Sequence, residues 1–136
     1  MAFIQTNWML ILVFVLSGGM LLWPIVQRRL SNVKDIGTLA ATRMINDDHA
    51  VLLDVRETAE YEGGHLPNAI HIPQSQFGSH GAELAKMKER PVIVYCERGT
   101  RSARAAQALS KQGFATVFSL AGGISAWKAA GLPVEK

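Results

Sequence analysis

The chain of 136 residues contains a single cysteine, Cys96, which excludes an intramolecular disulfide. Thioredoxin-type dithiol exchange is excluded for the same reason, because no second thiol is present to resolve a mixed disulfide. A chain without disulfides fits a reducing compartment. The four histidines and Cys96 show no spacing typical of a metal site, so we expect neither a metal ion nor a cofactor.

Charged residues are also few, and the excess of basic over acidic residues is small. The chain has 14 Lys and Arg against 11 Asp and Glu, a net charge of +3 at pH 7. The basic residues form no stripe interleaved with aromatic residues, so the sequence does not predict nucleic-acid binding. Internal repeats and low-complexity tracts are absent as well, which favours one compact domain after the N-terminal segment.

No charged residue lies between Trp8 and Val26. As a helix, residues 8–26 would rise about 28 Å, close to the roughly 30 Å hydrocarbon core of a bilayer. Trp8 and Trp23 lie near the two ends, where aromatic side chains meet lipid headgroups. We therefore predict that residues 1–27 form a transmembrane anchor, with residues 8–26 in contact with the lipid bilayer.

Two other interpretations of this segment remain open. A cleaved signal peptide normally has basic residues before its apolar run and a small-x-small site after it, and neither is present here. A buried core helix is also an alternative, although the uncharged run is long for one.

The charges that flank the apolar run predict its orientation. Arg28, Arg29 and Lys34 follow the run and nothing basic precedes it, so the positive-inside rule places the N-terminus outside and the C-terminal domain in the cytoplasm. We expect a single-pass membrane protein, in the inner membrane if the source is bacterial. Residues 28–34 are predicted to form a linker and residues 35–136 a domain. Such a tether is compatible with a membrane-protein partner.

The remaining sequence alternates between strand-like and helix-like segments. Short apolar runs predict strands at residues 50–55, 69–73, 91–95 and 115–120. Helical spacing and terminal glycines predict helices at residues 39–45, 57–62, 82–88, 102–112 and 124–130. This alternation is typical of an α/β domain with a parallel sheet covered by helices on both faces. Ligands of such domains bind beyond the carboxyl ends of the strands.

Cys96 lies at one of these strand ends, where a tight loop leads into a helix. Backbone N–H groups and the helix dipole at such a position favour thiolate over thiol. Arg98 and Arg101 add positive charge nearby. These features predict a nucleophilic cysteine, with a buried structural cysteine as the alternative.

Three stretches, residues 53–73, 92–102 and 120–134, carry a resemblance to a known family. They contain the motifs Leu53-Asp54-Val55-Arg56, Gly64-His65-Leu66-Pro67, Val94-Tyr95-Cys96 and Ala121-Gly122-Gly123. In their order and spacing they resemble the rhodanese-like domains, or single-domain sulfurtransferases. The resemblance implies a central parallel five-stranded sheet flanked by helices, with the Cys96 loop as active site. The N-terminal apolar segment lies outside the family pattern.

The resemblance also implies an activity. A donor such as thiosulfate would pass sulfane sulfur to Cys96, and a thiol, a cyanide-like nucleophile or a protein acceptor would remove it from the resulting persulfide at a membrane surface. Cys96 is the predicted catalytic residue. The predicted substrate-binding residues are Glu97, Arg98, Gly99, Thr100 and Arg101, and the predicted supporting residues are Asp54, Arg56 and Ser102.

More specific predictions follow for the residues expected near Cys96. Backbone N–H groups of residues 98–101 are predicted to cradle an anion. Glu97 is expected to point outward, because an inward carboxylate would raise the pKa of the thiol. Arg56 is expected to pair with Glu60 and brace the site, and His65 is interpreted as a turn or core histidine rather than a general base.

Two other functions remain as alternatives. Cysteine-dependent phosphatases and arsenate reductases hold their anion in a Cys-x5-Arg loop, whereas here Ser102 occupies the sixth position and Arg101 comes one residue early. The shorter loop favours sulfur over the larger phosphate. The second alternative is a membrane-tethered adaptor or regulatory binding module with little catalysis.

Overall fold

The computed structural model describes residues 1–30 and 33–136, and for residues 27–30 it describes the backbone alone. The chain divides into two units, an N-terminal helix and a larger unit that extends to Lys136. Positions 31 and 32 of the predicted linker, and the side chains of Arg28 and Arg29, lie outside the described residues.

Helix α1 (Ala2–Leu30) extends beyond both ends of the predicted span and departs from helical geometry at Asn7. Residues 2–26 are long and apolar enough to cross a membrane, and no part of that segment is buried. The interpretation as a buried core helix is therefore wrong for this segment. A membrane span and a signal sequence share this length and composition, so α1 is a candidate membrane span.

The larger unit alternates strands and helices as the sequence predicts. Its strands are β1 (Val33–Ile36), β2 (Val51–Asp54), β3 (Ile70–His71), β4 (Val92–Tyr95) and β5 (Val117–Leu120). Its helices are α2 (Thr38–Asp47), α3 (Thr58–Glu62), α4 (Gly81–Ala85), α5 (Thr100–Lys111) and α6 (Gly123–Ala129), with a 3₁₀ turn at Gln74–Gln76.

The five strands form one sheet in the order β1-β5-β4-β2-β3, and every neighbouring pair is parallel. This architecture confirms the predicted five-stranded parallel sheet flanked by helices. It places β4 at the centre of the sheet, between β2 and β5, so the loop after β4 is bordered by the ends of both neighbouring strands.

Strand β1 differs from the sequence prediction. Val33 and Lys34, which the sequence analysis assigned to the linker, pair with Val117 and Phe118 of β5 and belong to the sheet. Their burial pattern explains the error, because β1 is an edge strand whose two central residues are exposed. A strand exposed in this way has no apolar alternation for sequence analysis to detect.

Alternate side chains of the strands pack into two apolar layers, one on each face of the sheet. Val92, Val94 and Cys96 pack on the face covered by α5. Ile93 and Tyr95 pack on the opposite face, against residues of α2 and α6 that include Trp127. Since successive side chains of a strand point to opposite faces, this register directs the Cys96 side chain toward the start of α5.

Candidate active site

Cys96 lies directly after β4 and just before α5, with 1% of its surface exposed. It is the free cysteine of the chain. The sulfur is therefore at the carboxyl end of the central strand, where parallel α/β sheets place their ligands.

Three polar groups surround the Cys96 sulfur. The Gly99 amide donates to Sγ over 3.0 Å and the Ser102 amide over 3.3 Å. The Ser102 hydroxyl lies 3.5 Å from Sγ. Burial raises the pKa of the Cys96 thiol, but hydrogen bonds from the Ser102 hydroxyl and from the amides of Ser102, Gly99 and Arg98 outweigh it, so the pKa lies below the ordinary value. The site therefore stabilises the thiolate relative to that of an ordinary cysteine.

Gly99, the N-cap residue of α5, makes this arrangement possible. Its φ of 105° is in the left-handed region, which residues with a side chain rarely adopt. A Cβ atom at this position would also lie 3.3 Å from the backbone nitrogen of Gly122. The turn aims the first amides of the twelve-residue helix α5 at the sulfur, as expected for an anion site at a helix N-terminus.

The start of α6 holds the loop from the other side. The Ile124 amide donates to the Cys96 carbonyl oxygen over 2.9 Å, and the Ser125 amide donates to the Glu97 carbonyl oxygen over 3.1 Å. A Cβ atom on Gly123 would collide with both of these oxygens. The loop carbonyls therefore point away from the sulfur and toward α6, while the loop amides remain available to an anion.

Arg56 is buried below the loop, and its partners differ from the prediction. Its guanidinium contacts the Asp54 carboxylate at 2.8 Å, the Gly64 carbonyl oxygen at 2.7 Å and the Glu97 carboxylate at 3.3 Å. The predicted pair with Glu60 is wrong. Arg56 ties the loop residue Glu97 to Asp54 at the end of β2.

Glu60 pairs with Arg101 instead. Two parallel hydrogen bonds of 2.7 Å join the Arg101 guanidinium to the Glu60 carboxylate at the rim of the loop. The hydrogen bond from Arg101 lowers the pKa of Glu60, and the same bond raises the pKa of Arg101. Arg101 therefore adds positive charge near the sulfur, but both terminal nitrogens of its guanidinium already donate to the Glu60 carboxylate.

The other predicted binding residues lie at the outside of the loop. Arg98 and Thr100 are exposed. The Glu97 carboxylate bonds to Arg56 and accepts a hydrogen bond of 3.3 Å from the Ser125 hydroxyl. Of the predicted binding residues, Gly99 and Arg98 thus act on the sulfur through their backbone amides, that of Gly99 at 3.0 Å.

The sequence analysis missed Ser119. Its hydroxyl lies 2.8 Å from the Ser102 hydroxyl, and both residues are buried. A signal was present in the sequence, since Ser119 is a polar residue within an otherwise apolar strand. Its position beside Val94 of β4, near the sulfur, became evident only from the register of the sheet.

His65 takes no part in the sulfur environment. It is buried, stacks on the Tyr61 ring with centroids 4.0 Å apart, and its Nδ1 atom lies 3.2 Å from the Tyr61 carbonyl oxygen. These contacts agree with its interpretation as a turn or core histidine. Within residues 1–30 and 33–136, no group of three or more His, Cys, Asp or Glu residues is arranged to hold a metal ion.

Comparison with known proteins assigns the fold and the loop to one family. A model of the Rhodanese-like domain matches residues 39–130. The thiosulfate sulfurtransferase GlpE of Coxiella burnetii is 38% identical over 96 residues, which cover 71% of this chain and 88% of that protein. A sulfurtransferase of Allochromatium vinosum is 36% identical over 92 residues, covering 68% of this chain and 84% of its own.

A solved structure gives the same result. The crystal structure of a rhodanese-related protein from Thermoplasma volcanium superposes with a TM-score of 0.67 at 31% sequence identity, and covers 75% of this chain and 97% of that one. The family model, at residues 39–130, includes β2 to β5 and the loop that carries Cys96. The chain therefore belongs to the family of rhodanese-like domain proteins.

Proposed function

We propose that this protein is a sulfurtransferase in which Cys96 carries sulfane sulfur as a persulfide. In the first step, the Cys96 thiolate attacks the outer sulfur of thiosulfate. A new S–S bond forms at Cys96, the S–S bond of thiosulfate breaks, and sulfite leaves with the electron pair. In the second step, a nucleophile such as cyanide or a thiolate attacks the outer sulfur of the persulfide, and Cys96 departs as thiolate.

The observation that carries this proposal is the set of donors aimed at the sulfur. The amides of Gly99 and Ser102 converge on Sγ. Hydrogen-bond donors fixed in advance stabilise negative charge without reorganising during the reaction. The names of the relatives, thiosulfate sulfurtransferase and sulfurtransferase, support this class of activity.

The charges at the rim support an anionic donor. Arg98 is exposed on the loop, and the Arg101 guanidinium lies at the start of α5. We propose that these two side chains bind the oxygens of a thiosulfate-like donor. Binding through Arg101 requires the donor to share the guanidinium with Glu60 or to displace that carboxylate.

Intact-mass analysis of the full chain in detergent micelles tests the proposal. After thiosulfate treatment we expect a gain of one sulfur, about 32 Da, that cyanide removes. Cys96→Ser should remain unmodified, and Ser110→Ala, a change elsewhere on α5, should be modified like the unaltered protein. If neither thiosulfate nor another sulfane donor leaves an adduct, the proposal fails and a membrane-tethered adaptor becomes the better account.

We also propose that α1 tethers this chemistry to a membrane, with the domain on the cytoplasmic side. The unburied apolar surface of residues 2–26 and the basic pair Arg28 and Arg29 that follows this run support this placement. The full-length protein should then be recovered from the membrane fraction with residues 1–30 intact. Protease added to inside-out vesicles should digest the domain, whereas protease added to right-side-out vesicles should leave it intact. Recovery of a soluble, shortened chain would identify a signal sequence instead.

A further inference from the structure

Two serine hydroxyls form a buried polar pair beside the reactive sulfur. Ser102 on α5 has none of its surface exposed and Ser119 on β5 has 1%, and their oxygens lie 2.8 Å apart. A buried hydroxyl is costly unless it is hydrogen-bonded, and the only side chain that meets this need for Ser119 among the described contacts is Ser102. The Ser102 and Ser119 hydroxyls therefore form one hydrogen-bonded unit.

The Ser102 hydroxyl has one proton and more than one acceptor within reach. Its oxygen lies 3.1 Å from the Gly99 carbonyl oxygen, 2.8 Å from the Ser119 oxygen and 3.5 Å from Cys96 Sγ. While Cys96 is a thiol, it can donate its proton to Ser102, and Ser102 can donate to Gly99. Once Cys96 is a thiolate, the sulfur can only accept.

The geometry allows the Ser102 proton to turn toward the thiolate without leaving another group unpaired. The Gly99 carbonyl oxygen keeps the hydrogen bond from the Ala103 amide, at 3.2 Å. The Ser119 hydroxyl can donate to the Ser102 oxygen at the same time. Such a chain, from Ser119 to Ser102 to sulfur, satisfies both buried hydroxyls, and each bond in it strengthens the next.

We propose that Ser119 is a positioning residue for the sulfur-transfer reaction: by donating to Ser102 it directs the Ser102 hydroxyl at Cys96 Sγ whenever that sulfur carries negative charge. The inference rests on the proposed function, because it assigns Ser119 to the same reaction. Ser119 acts in both steps of the reaction cycle. The attacking thiolate is stabilised before thiosulfate reacts, and the departing thiolate is stabilised when the acceptor breaks the S–S bond.

The charged groups around the Cys96 loop come from the neighbouring elements. They are Glu60 of α3 with its partner Arg101 of α5, Arg56 after β2 with its partner Glu97 of the loop, and Arg98 of the loop. Strand β5 and the first turn of α6 contain no titratable side chain. Substitution of Ser119 therefore leaves the charges around the sulfur unchanged, and a shift in thiol reactivity reports on the hydroxyl chain.

The test measures alkylation of Cys96 by iodoacetamide as a function of pH, with the full chain in detergent micelles. Only the thiolate reacts, and the single cysteine makes the signal unambiguous. We expect Ser119→Ala to lower the rate about threefold to tenfold at pH values below the pKa of the thiol, because the hydrogen bond that orients Ser102 toward the thiolate is lost. The profile should move to higher pH, and the limiting rate at high pH should not decrease. Ser110→Ala, on the same helix as Ser102, should match the unaltered protein.

A matched pair of substitutions separates the hydroxyl from packing. Ser119→Thr and Ser119→Val have nearly the same shape, and only Thr keeps the hydroxyl. The Thr variant should follow the profile of the unaltered protein and the Val variant that of Ser119→Ala. Equal profiles for Thr and Val would overturn the proposal even if Ser119→Ala fails to fold.

A double-substitution comparison tests whether Ser119 acts through Ser102. In a Ser102→Ala background, Ser119→Ala should have no further effect on the profile, because the chain is already broken. A full additional shift would contradict the proposal. Alkylation requires no sulfur donor, so the two proposals can fail separately. A shifted pH profile of alkylation without a thiosulfate adduct would contradict the sulfur-transfer proposal alone. A thiosulfate adduct with an unshifted pH profile would contradict the role of Ser119 alone.

Discussion

Arg56 and Arg101 each bind a carboxylate beside the Cys96 loop, but their surroundings differ. The side chains of Arg56 and Asp54 are 3% and 0% exposed, whereas those of Arg101 and Glu60 are 41% and 33% exposed. Arg56 also contacts the Gly64 carbonyl oxygen and the Glu97 carboxylate, which fixes it in place. Arg101 contacts Glu60 alone among the described side chains.

This difference predicts a structural role for Arg56 and a binding role for Arg101. A buried charge that loses its partner is strongly destabilising, so the buried pair must remain intact for the domain to fold. A pair at the rim contributes little to stability because solvent screens it, and its charges can be exchanged for those of a ligand. We therefore expect substitutions of Arg56 to act on folding and substitutions of Arg101 to act on the donor.

The largest effect is expected from Arg56→Met, which leaves the buried Asp54 carboxylate without its partner. The free energy of unfolding should fall by about 3–5 kcal/mol, measured by urea denaturation of the full chain in detergent. Arg104→Met, at an exposed position of α5, is the matched control and should change little. Adding Asp54→Asn to Arg56→Met should restore part of the loss. A stable Arg56→Met variant would contradict a structural role for the buried pair.

Arg101→Ala should act on the reaction more than on the fold. Loss of a charged donor at the rim should lower kcat/KM for thiosulfate about tenfold, while the urea midpoint changes little. Arg101→Lys should recover part of the loss because it restores the charge without the planar fork. Arg104→Ala is the control in this assay. Unchanged kcat/KM together with a lower urea midpoint would assign Arg101 to structure, as for Arg56.

Glu60→Gln should change the reaction in the opposite direction. Without the carboxylate, the Arg101 guanidinium is free for the donor, so the KM for thiosulfate should decrease about twofold to threefold at low salt. The gain should shrink as salt is added. Glu62→Gln, an exposed glutamate at the end of the same helix, controls for the general loss of negative charge. A higher KM in Glu60→Gln would show that Glu60 orients Arg101 for the donor rather than competing with it.

The smallest effect is expected in the pH dependence of stability. The hydrogen bond from Arg101 lowers the pKa of Glu60, so this pair stabilises the fold above the ordinary glutamate pKa of about 4.3. The contribution is lost as pH falls from that value through the lowered pKa of folded Glu60. Urea midpoints recorded across this range should therefore fall slightly less in Glu60→Gln than in the unaltered protein. Parallel curves for the two proteins would mean that solvent screens the pair completely.

Much of the fold and the core of the site follow from the sequence. Short apolar runs locate four of the five strands, and a cysteine between a strand and a helix locates the candidate nucleophile. The family resemblance predicts that the sheet has five strands, but it does not locate the fifth strand in the sequence. Strand β1 was missed because its residues are mostly exposed at the edge of the sheet.

The remaining errors concern which side chains meet: Glu60 bonds to Arg101, 41 residues away, while Arg56 bonds to Asp54, two residues before it. Arg56 and Glu60 are close enough along the chain to suggest a local pair, but each side chain finds its carboxylate or guanidinium elsewhere. Ser119 reaches Ser102 only because β5 lies beside β4. Local periodicity determines which elements form, whereas the order of strands in the sheet determines which side chains meet.

The contact between the Cys96 loop and the start of α6 has a consequence for synthesis on the ribosome. The Ile124 and Ser125 amides that hold the loop carbonyls are made only after α5 and β5. Until they emerge, a growing chain carries its thiol in a loop that lacks its second anchor. We therefore expect the Cys96 loop to reach its final geometry only when the domain is nearly complete.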